Sequence, residues 1–218
     1  MESLERKTKR MEKFKVQVIN RHRMKTDGNG ITTLVALYGC PLNCKYCLNK
    51  KVLSIDKYKE ITPEELVQLV MIDYCYFKAT GGGITFGGGE PLIYSKQIAK
   101  TRSILPSDIK INVETSLNVD TQNLLDIVDF VDEIIIDIKS LNTDIYRRYT
   151  DRDNTKLVDN LNIIAEKEYQ HKCLIRIPNI PEYTTKEDID NSIRLIKQLG
   201  FTNIDTFDYV IRGAENNG

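Results

Sequence analysis

At 218 residues the chain is long enough to bury one substantial core and fits a single domain. Lys and Arg (31) balance Asp and Glu (31), which excludes the global field that marks many nucleic-acid binders. The start, MESLERKTKRMEKF, has no apolar core, and no apolar run approaches the ~20 residues of a membrane span; a cytoplasmic chain with reduced thiols is expected.

Charge is uneven along the chain. Residues 1–26 carry nine Lys/Arg against three Glu, a net of +6, which leaves 22 against 28, or −6, for the rest. They read as a basic N-terminal arm with one short strand, KVQVI (15–19). A solvated, frayed terminus is the plain reading of that arm, and steering of an acidic partner the other. Residues 27–218 read as one domain. Its predicted strands are TLVALYG (33–39), GITFG (83–87), KINVET (110–115), EIIIDI (133–138), CLIRI (173–177) and IDTFDYV (204–210). Amphipathic stretches near 62–79, 95–104, 120–129, 155–168 and 185–199 lie between them. Thr62-Pro63-Glu64-Glu65 reads as a capped helix start, Thr184 with Glu187 as a second capping box, and Gly200 as a helix stop. Strand alternating with helix predicts a parallel α/β sheet. Six central strands are too few for a closed eight-stranded barrel of ~250 residues, so an open, partial (β/α)6 barrel is expected, with a doubly wound sheet as the alternative.

The residues with chemical purpose fall where these strands end, which is where parallel α/β folds build ligand sites. After the first of them comes GCPLNCKYCLNK (39–50), which places Cys40, Cys44 and Cys47 in a C-x3-C-x2-C pattern within a chain of five cysteines. A four-iron cluster takes thiolate ligands, and three of them leave one iron open. A zinc site with a distant fourth ligand competes, although neither histidine, His22 or His171, lies in a zinc-like pairing. Cys75 and Cys173 fall in helical and strand patterns and read as small core residues. The second motif, TFGGGEPL (85–92), has glycines that permit close backbone approach to a ligand, and Glu90 as an acceptor suited to an ammonium. Beyond it lie Glu114, Thr115, Asp137, Lys139 and Arg176, a mixed set of acids and bases on the same rim. Asp137 or Glu114 could also bind a monovalent cation.

The cysteine spacing, with Tyr46 before the third cysteine, resembles the cluster loop of the radical S-adenosylmethionine (SAM) superfamily. In that family SAM chelates the open iron, and an electron from the reduced [4Fe-4S] cluster cleaves it to methionine and a 5′-deoxyadenosyl radical, which abstracts hydrogen. The resemblance is strongest to activating enzymes of glycyl radical enzymes, of the pyruvate formate-lyase activase type, and runs from about Lys15 to Tyr209. DGNGITT (27–33), CLNK (47–50), VETSL (113–117), IIIDIKSLN (134–142) and LIRIPNIP (174–181) are similar to family segments. The likeness implies SAM contacts at Tyr46, Asn49, Gly88, Gly89, Glu90, Thr115, Asp137, Lys139 and Arg176. It also implies a glycyl radical enzyme as protein substrate and flavodoxin or ferredoxin as electron donor. A radical SAM enzyme acting on a peptide or on a small molecule, in the manner of 7-carboxy-7-deazaguanine synthase, is the alternative; a cluster- or zinc-bearing scaffold without turnover is a third. The sequence departs from the family at Leu48, where a histidine is usual, and at Gly87, where a serine is common. Val210 stands near the place of a further histidine, and the short C-terminal stretch predicts a wider barrel mouth or one completed by a partner.

Overall fold

The structure, a computed structural model, describes residues 12–24, 26–50 and 57–209, so Val210 lies outside the described residues. Its centre is one eight-stranded sheet. In spatial order the strands are β3 (Lys59–Ile61), β1 (Phe14–Met24), β2 (Ile31–Leu37), β4 (Gly83–Gly88), β5 (Lys110–Thr115), β6 (Glu133–Asp137), β7 (Cys173–Asn179) and β8 (Ile204–Asp208). The strands from β2 through β8 pair in parallel, while β1 runs antiparallel to both β2 and β3. The parallel strands step in one direction without a reversal. Right-handed crossovers in a one-way order put the connecting helices on a single face and curl the sheet toward a barrel. A doubly wound sheet needs a switch of direction, so the partial barrel holds and that alternative falls. The sheet remains open between its edges, β3 and β8.

Side-chain alternation gives the two faces different work. Val35, Leu37, Ile84, Phe86, Ile111, Val113, Ile134, Ile136, Ile175 and Ile177 are buried on the outer face. They form one core with Leu66 and Val70 of α1 (Pro63–Val70), Phe77 of α2 (Tyr74–Thr80) and Ile98 of α3 (Ser95–Ile104). Leu124 of α4 (Thr121–Leu125), Leu157 and Ile164 of α6 (Thr155–Glu166) and Ile196 of α7 (Lys186–Gln198) complete it, with α5 (Thr143–Thr150) packed through Tyr146. The intervening inner-face positions carry Thr85, Asn112, Glu114, Asp137 and Arg176.

Several elements differ from expectation for identifiable reasons. The strand within the basic arm is eleven residues long, and irregular pairing with β2 near Val16 and His22 breaks the alternation that would have revealed it. The helix expected over 62–79 is interrupted by a 3-10 turn at Met71–Asp73. There Asp73 is drawn inward to accept from the Thr33 hydroxyl at 2.8 Å and to pair with Arg21. The capping box at Thr62 and Glu65 forms as expected. The second shifts by one residue to Thr185 and Asp188, because the Thr184 hydroxyl accepts from the Ile180 amide at 2.7 Å. Gly200 does follow α7 with φ +86°. The helix expected over 120–129 is confined to Thr121–Leu125, and both β3 and α5 were unexpected. Cys173 is buried, but Cys75 is exposed: it lies two positions, about 200° of helix, from Phe77, the buried side chain of α2. No helix among the described residues is long and apolar enough to cross a membrane.

Candidate active site

The loop after β2 carries Cys40, Cys44 and Cys47 into one cavity of about 410 Å³ at the C-terminal ends of the parallel strands. Its conformation is imposed by α5, more than a hundred residues later. The amides of Asn43 and Lys45 donate to the carbonyls of Thr150 (2.9 Å) and Tyr149 (3.0 Å), satisfying helix-end acceptors that have no partner within the helix. The following residue, Asp151, takes a left-handed conformation (φ +59°) and its carboxylate accepts from Asn43 Nδ2 and Lys45 Nζ, both at 2.6 Å. Arg152 Nε adds a bond to the Pro41 carbonyl at 3.1 Å. Burial pushes the Cys40 thiol up to about 12, with Glu90 adding to the effect, and burial raises Cys44 as well. A cation bound here would therefore displace protons from neutral thiols.

The end of β4 presses against the start of this loop. The amides of Gly89 and Glu90 donate to Leu37 (3.0 Å) and Gly39 (2.8 Å). Gly88 has φ +86°, and a Cβ at Gly89 would lie 2.2 Å from the Gly39 carbonyl oxygen. The close approach that the glycines permit is thus to the chain's own backbone. Asn49 Nδ2 donates to the Gly88 carbonyl at 2.7 Å, closing the cysteine loop onto the turn. Glu90 is 1 % exposed, and its oxygens accept from Thr115 Oγ1 (2.6 Å), the Leu92 amide (3.2 Å), the Ser116 amide (2.9 Å) and Ser116 Oγ (2.7 Å). Those four donors fill the acceptor sites of a carboxylate. Glu90 therefore ties the turn after β4 to the end of β5, and Thr115 serves it from behind.

The opposite wall is charged. Asp137 faces Lys139 at 3.3 Å, and Glu114 accepts from Arg176 Nη1 at 2.7 Å while Arg176 Nη2 reaches the Thr26 carbonyl at 2.6 Å. Burial, with Asp137 adding to it, pushes Glu114 up to about 7 against the opposing pull of Arg176. Burial would lower Lys139, but Asp137 and Cys44 outweigh it and hold the ammonium charged. Two acids and two bases in reciprocal pairs can exchange partners with a zwitterionic ligand at little electrostatic cost.

Twelve of the thirteen residues singled out from sequence line this one cavity. The exception is Tyr46, whose ring lies against Tyr149 and Tyr183 and whose hydroxyl donates to Glu182 at 2.8 Å. Sequence reasoning missed Ser116, Tyr149, Asp205, Phe207 and Tyr209, all of which line the cavity. Asp205 stands beside Arg176 in the β7–β8 register, and that pairing cannot be read before the strand order is known. Tyr149 belongs to α5, whose start was signalled by Asn142 as N-cap with Asp144 in the first turn.

Residues 34–207 match the family described as the Radical SAM superfamily. Among curated relatives, the pyruvate formate-lyase-activating enzyme of Clostridium pasteurianum is 31% identical over 79% of this chain and 72% of its own length. The enzyme of the same name from Staphylococcus aureus (strain USA300) is 30% identical over 78% and 69%. A (2S)-3-sulfopropanediol dehydratase activating enzyme from Klebsiella oxytoca is 27% identical over 71% and 68%. The fold resembles Streptococcus suis SuiB bound to S-adenosylmethionine, with a TM-score of 0.61 and 13% identity over 84% of this chain. It also resembles coproporphyrinogen III oxidase (HemN) from Escherichia coli, with a TM-score of 0.54 and 15% identity over 81%. Only 40% and 43% of those longer chains are covered, so they speak to the fold alone.

Proposed function

The chain belongs to the radical SAM superfamily, and on that premise we propose that it is an activase that generates a glycyl radical in a partner enzyme. The observation that carries this reading is the convergence of three cysteines, a glycine turn and two acid–base pairs on one cavity. Identities of 31% and 30% to pyruvate formate-lyase-activating enzymes, over more than two thirds of each chain, support the choice of reaction.

The donor set fits the family's cofactors. Cys40, Cys44 and Cys47 would hold a [4Fe-4S] cluster, with no fourth cysteine among the cavity residues to complete it. When bound, the cluster supplies the electron that cleaves SAM to a 5′-deoxyadenosyl radical able to take hydrogen from a backbone glycine. The chain's own residues bind and orient. Arg176 and Lys139 are the cations available to the SAM carboxylate. The backbone of Gly88 and Gly89, held in place by Glu90 and Asn49, would receive its amino end. Asp137 and Glu114 remain for the ribose or for a monovalent cation. Release of Arg176 from Glu114 on ligand entry would free the carboxylate for that second role. Flavodoxin or ferredoxin is the proposed reductant.

The test uses the full chain, reconstituted anaerobically and mixed with SAM, a reductant and a lysate of the source organism lacking this gene. A glycyl-type doublet in the electron paramagnetic resonance spectrum that needs both SAM and this protein is the expected result. Stoichiometric 5′-deoxyadenosine without that doublet would move the substrate to a peptide or small molecule. Absence of both products would remove the enzymatic reading.

A further inference from the structure

The sheet ends at β8, and no strand among the described residues pairs with its outer edge. In a parallel ladder the N–H and C=O of one residue turn to the same neighbouring strand, and those of the next residue turn away. The Ile175 amide donates to the Asn203 carbonyl and the Tyr209 amide to the Asn179 carbonyl, both at 2.9 Å, so the backbone groups of Asp205 and Phe207 face β7. Ile204, Thr206 and Asp208 therefore turn theirs outward, along a strand exposed from Asp205 to Asp208. A free edge of this kind is a template for one more strand.

The same strand walls the cavity. Asp205, Phe207 and Tyr209 line it, and Phe207 keeps 39 % of its surface in solvent. A segment lying along β8 would run past the cavity mouth with alternate residues turned inward. A reacting backbone glycine meets a difficulty there, because its amide and carbonyl and those of its neighbours leave water and need partners. The side chains of the cavity have little to give. Glu90 is saturated, Asn49 is bonded to Gly88, the Ser116 hydroxyl is bonded to Glu90, and the two acid–base pairs are assigned to SAM. The outward backbone of β8 supplies the missing donors and acceptors.

Resting on the activase reading, we propose that the partner's glycine segment binds as an extended strand added to the free edge of β8, paired through the backbone of Ile204, Thr206 and Asp208. Phe207 packs against one inward-facing residue of the segment. Glycine at another inward position turns a Cα hydrogen, rather than a side chain, toward the cavity. Charge then selects among segments. The strand Ile204–Asp208 carries two acids and no base, and Asp205 has no hydrogen-bond or ion-pair partner among the described residues. A segment with Lys or Arg on the same face as its glycine suits it better than an acidic one.

The test uses the full chain, reconstituted anaerobically, with SAM, dithionite and short end-blocked peptides whose central glycine is deuterated at Cα. One peptide carries lysine two residues from the glycine, and a second carries glutamate there. Residue-resolved amide exchange and deuterium in 5′-deoxyadenosine are read by mass spectrometry; transfer to the 5′ carbon leaves the radical on glycine. With the lysine peptide, exchange at Thr206 and Asp208 should slow about tenfold while Asp205 and Phe207, already bonded to β7, change little. Deuterium should enter 5′-deoxyadenosine with that peptide and much less with the glutamate one. Thr206→Pro removes one outward N–H, where an edge strand tolerates proline. It should abolish both signals while SAM affinity and peptide-free 5′-deoxyadenosine formation stay at the parent level, and Thr206→Ala, which keeps the amide, should match the parent. Deuterium transfer without protection of the alternate amides would overturn the proposal, as would undiminished transfer in Thr206→Pro. Slow exchange at Thr206 and Asp208 without peptide would give the edge to the chain itself or, if it grows with protein concentration, to a second copy, and would overturn it too. Normal 5′-deoxyadenosine formation with neither protection nor transfer would remove the added strand and leave the radical chemistry. Protection of the alternate amides in a chain that forms no 5′-deoxyadenosine would keep the docking edge and remove the activase reading.

Discussion

The two faces of the same parallel strands obey different rules. On the outer face Ile84, Phe86, Ile111, Val113, Ile134 and Ile136 belong to one apolar core, where a residue of similar shape and size could serve. On the inner face Glu114, Asp137 and Arg176 are tied to named partners, and no isostere of different charge can replace them. The comparison teaches that stability and chemistry are interleaved residue by residue along one backbone, so each can be broken while the other is read.

The largest effect belongs to the rim of the inner face. Replacing Cys40, Cys44 or Cys47 with alanine should abolish intact cluster and turnover while circular dichroism melts stay close to the parent; a variant that still cleaves SAM would undo the ligand assignment. Next is the outer face. Phe86 is fully buried and stacks on Phe14 at 5.5 Å, so Phe86→Ala should cost about 3–5 kcal/mol in urea unfolding. The cluster content of the fraction that remains folded should be unchanged. Glu90 lies between the two classes, a buried charge whose work is structural. Glu90→Ala leaves the Ser116 and Leu92 amides without their acceptor and should cost ~1–3 kcal/mol, with weaker SAM binding measured by calorimetry. Weaker SAM binding with undiminished stability would restore a direct contact as its main role.

The last test is a pH dependence. Glu114 titrates near 4.5 when unfolded and near 7 in the folded, ligand-free protein. A carboxyl whose folded value is raised stabilises the fold fully below 4.5 and loses that contribution as pH climbs to about 7. Denaturation midpoints of the ligand-free chain should therefore fall across this window, and Glu114→Gln should flatten the fall. An identical slope in the variant would assign the window to another group.

What could be read in advance follows the same division. Outer-face runs such as EIIIDI announce a buried parallel strand by composition alone, and the strand ends then locate the rim. The cysteines, Gly88–Glu90 and the four charged residues were legible because each motif is local. Two things were not. The helix Thr143–Thr150, TDIYRRYT, is short and mostly polar, and its apolar content is carried by Ile145, Tyr146 and Tyr149, too few to show a clear period. The commitment of Glu90 to Thr115 and Ser116 joins residues 25 and 26 positions apart, and only the β4–β5 pairing brings them together. The turn of the Tyr46 ring toward Tyr149 and Tyr183 could not be read either, because its position in the motif says nothing about which way the ring points.

The bonds from Asn43 and Lys45 to Asp151 span 108 and 106 residues. Their consequence is one of timing during synthesis. The cysteines leave the ribosome early, yet the scaffold that shapes their loop does not exist until the chain has been made past Arg152 and α5 has docked. Until then three accessible thiols sit on an unformed loop, open to oxidation or to the wrong metal. Cluster insertion thus belongs to the late or completed chain, and nascent chains stalled before Thr143 should take up no more iron than a variant lacking all three cysteines.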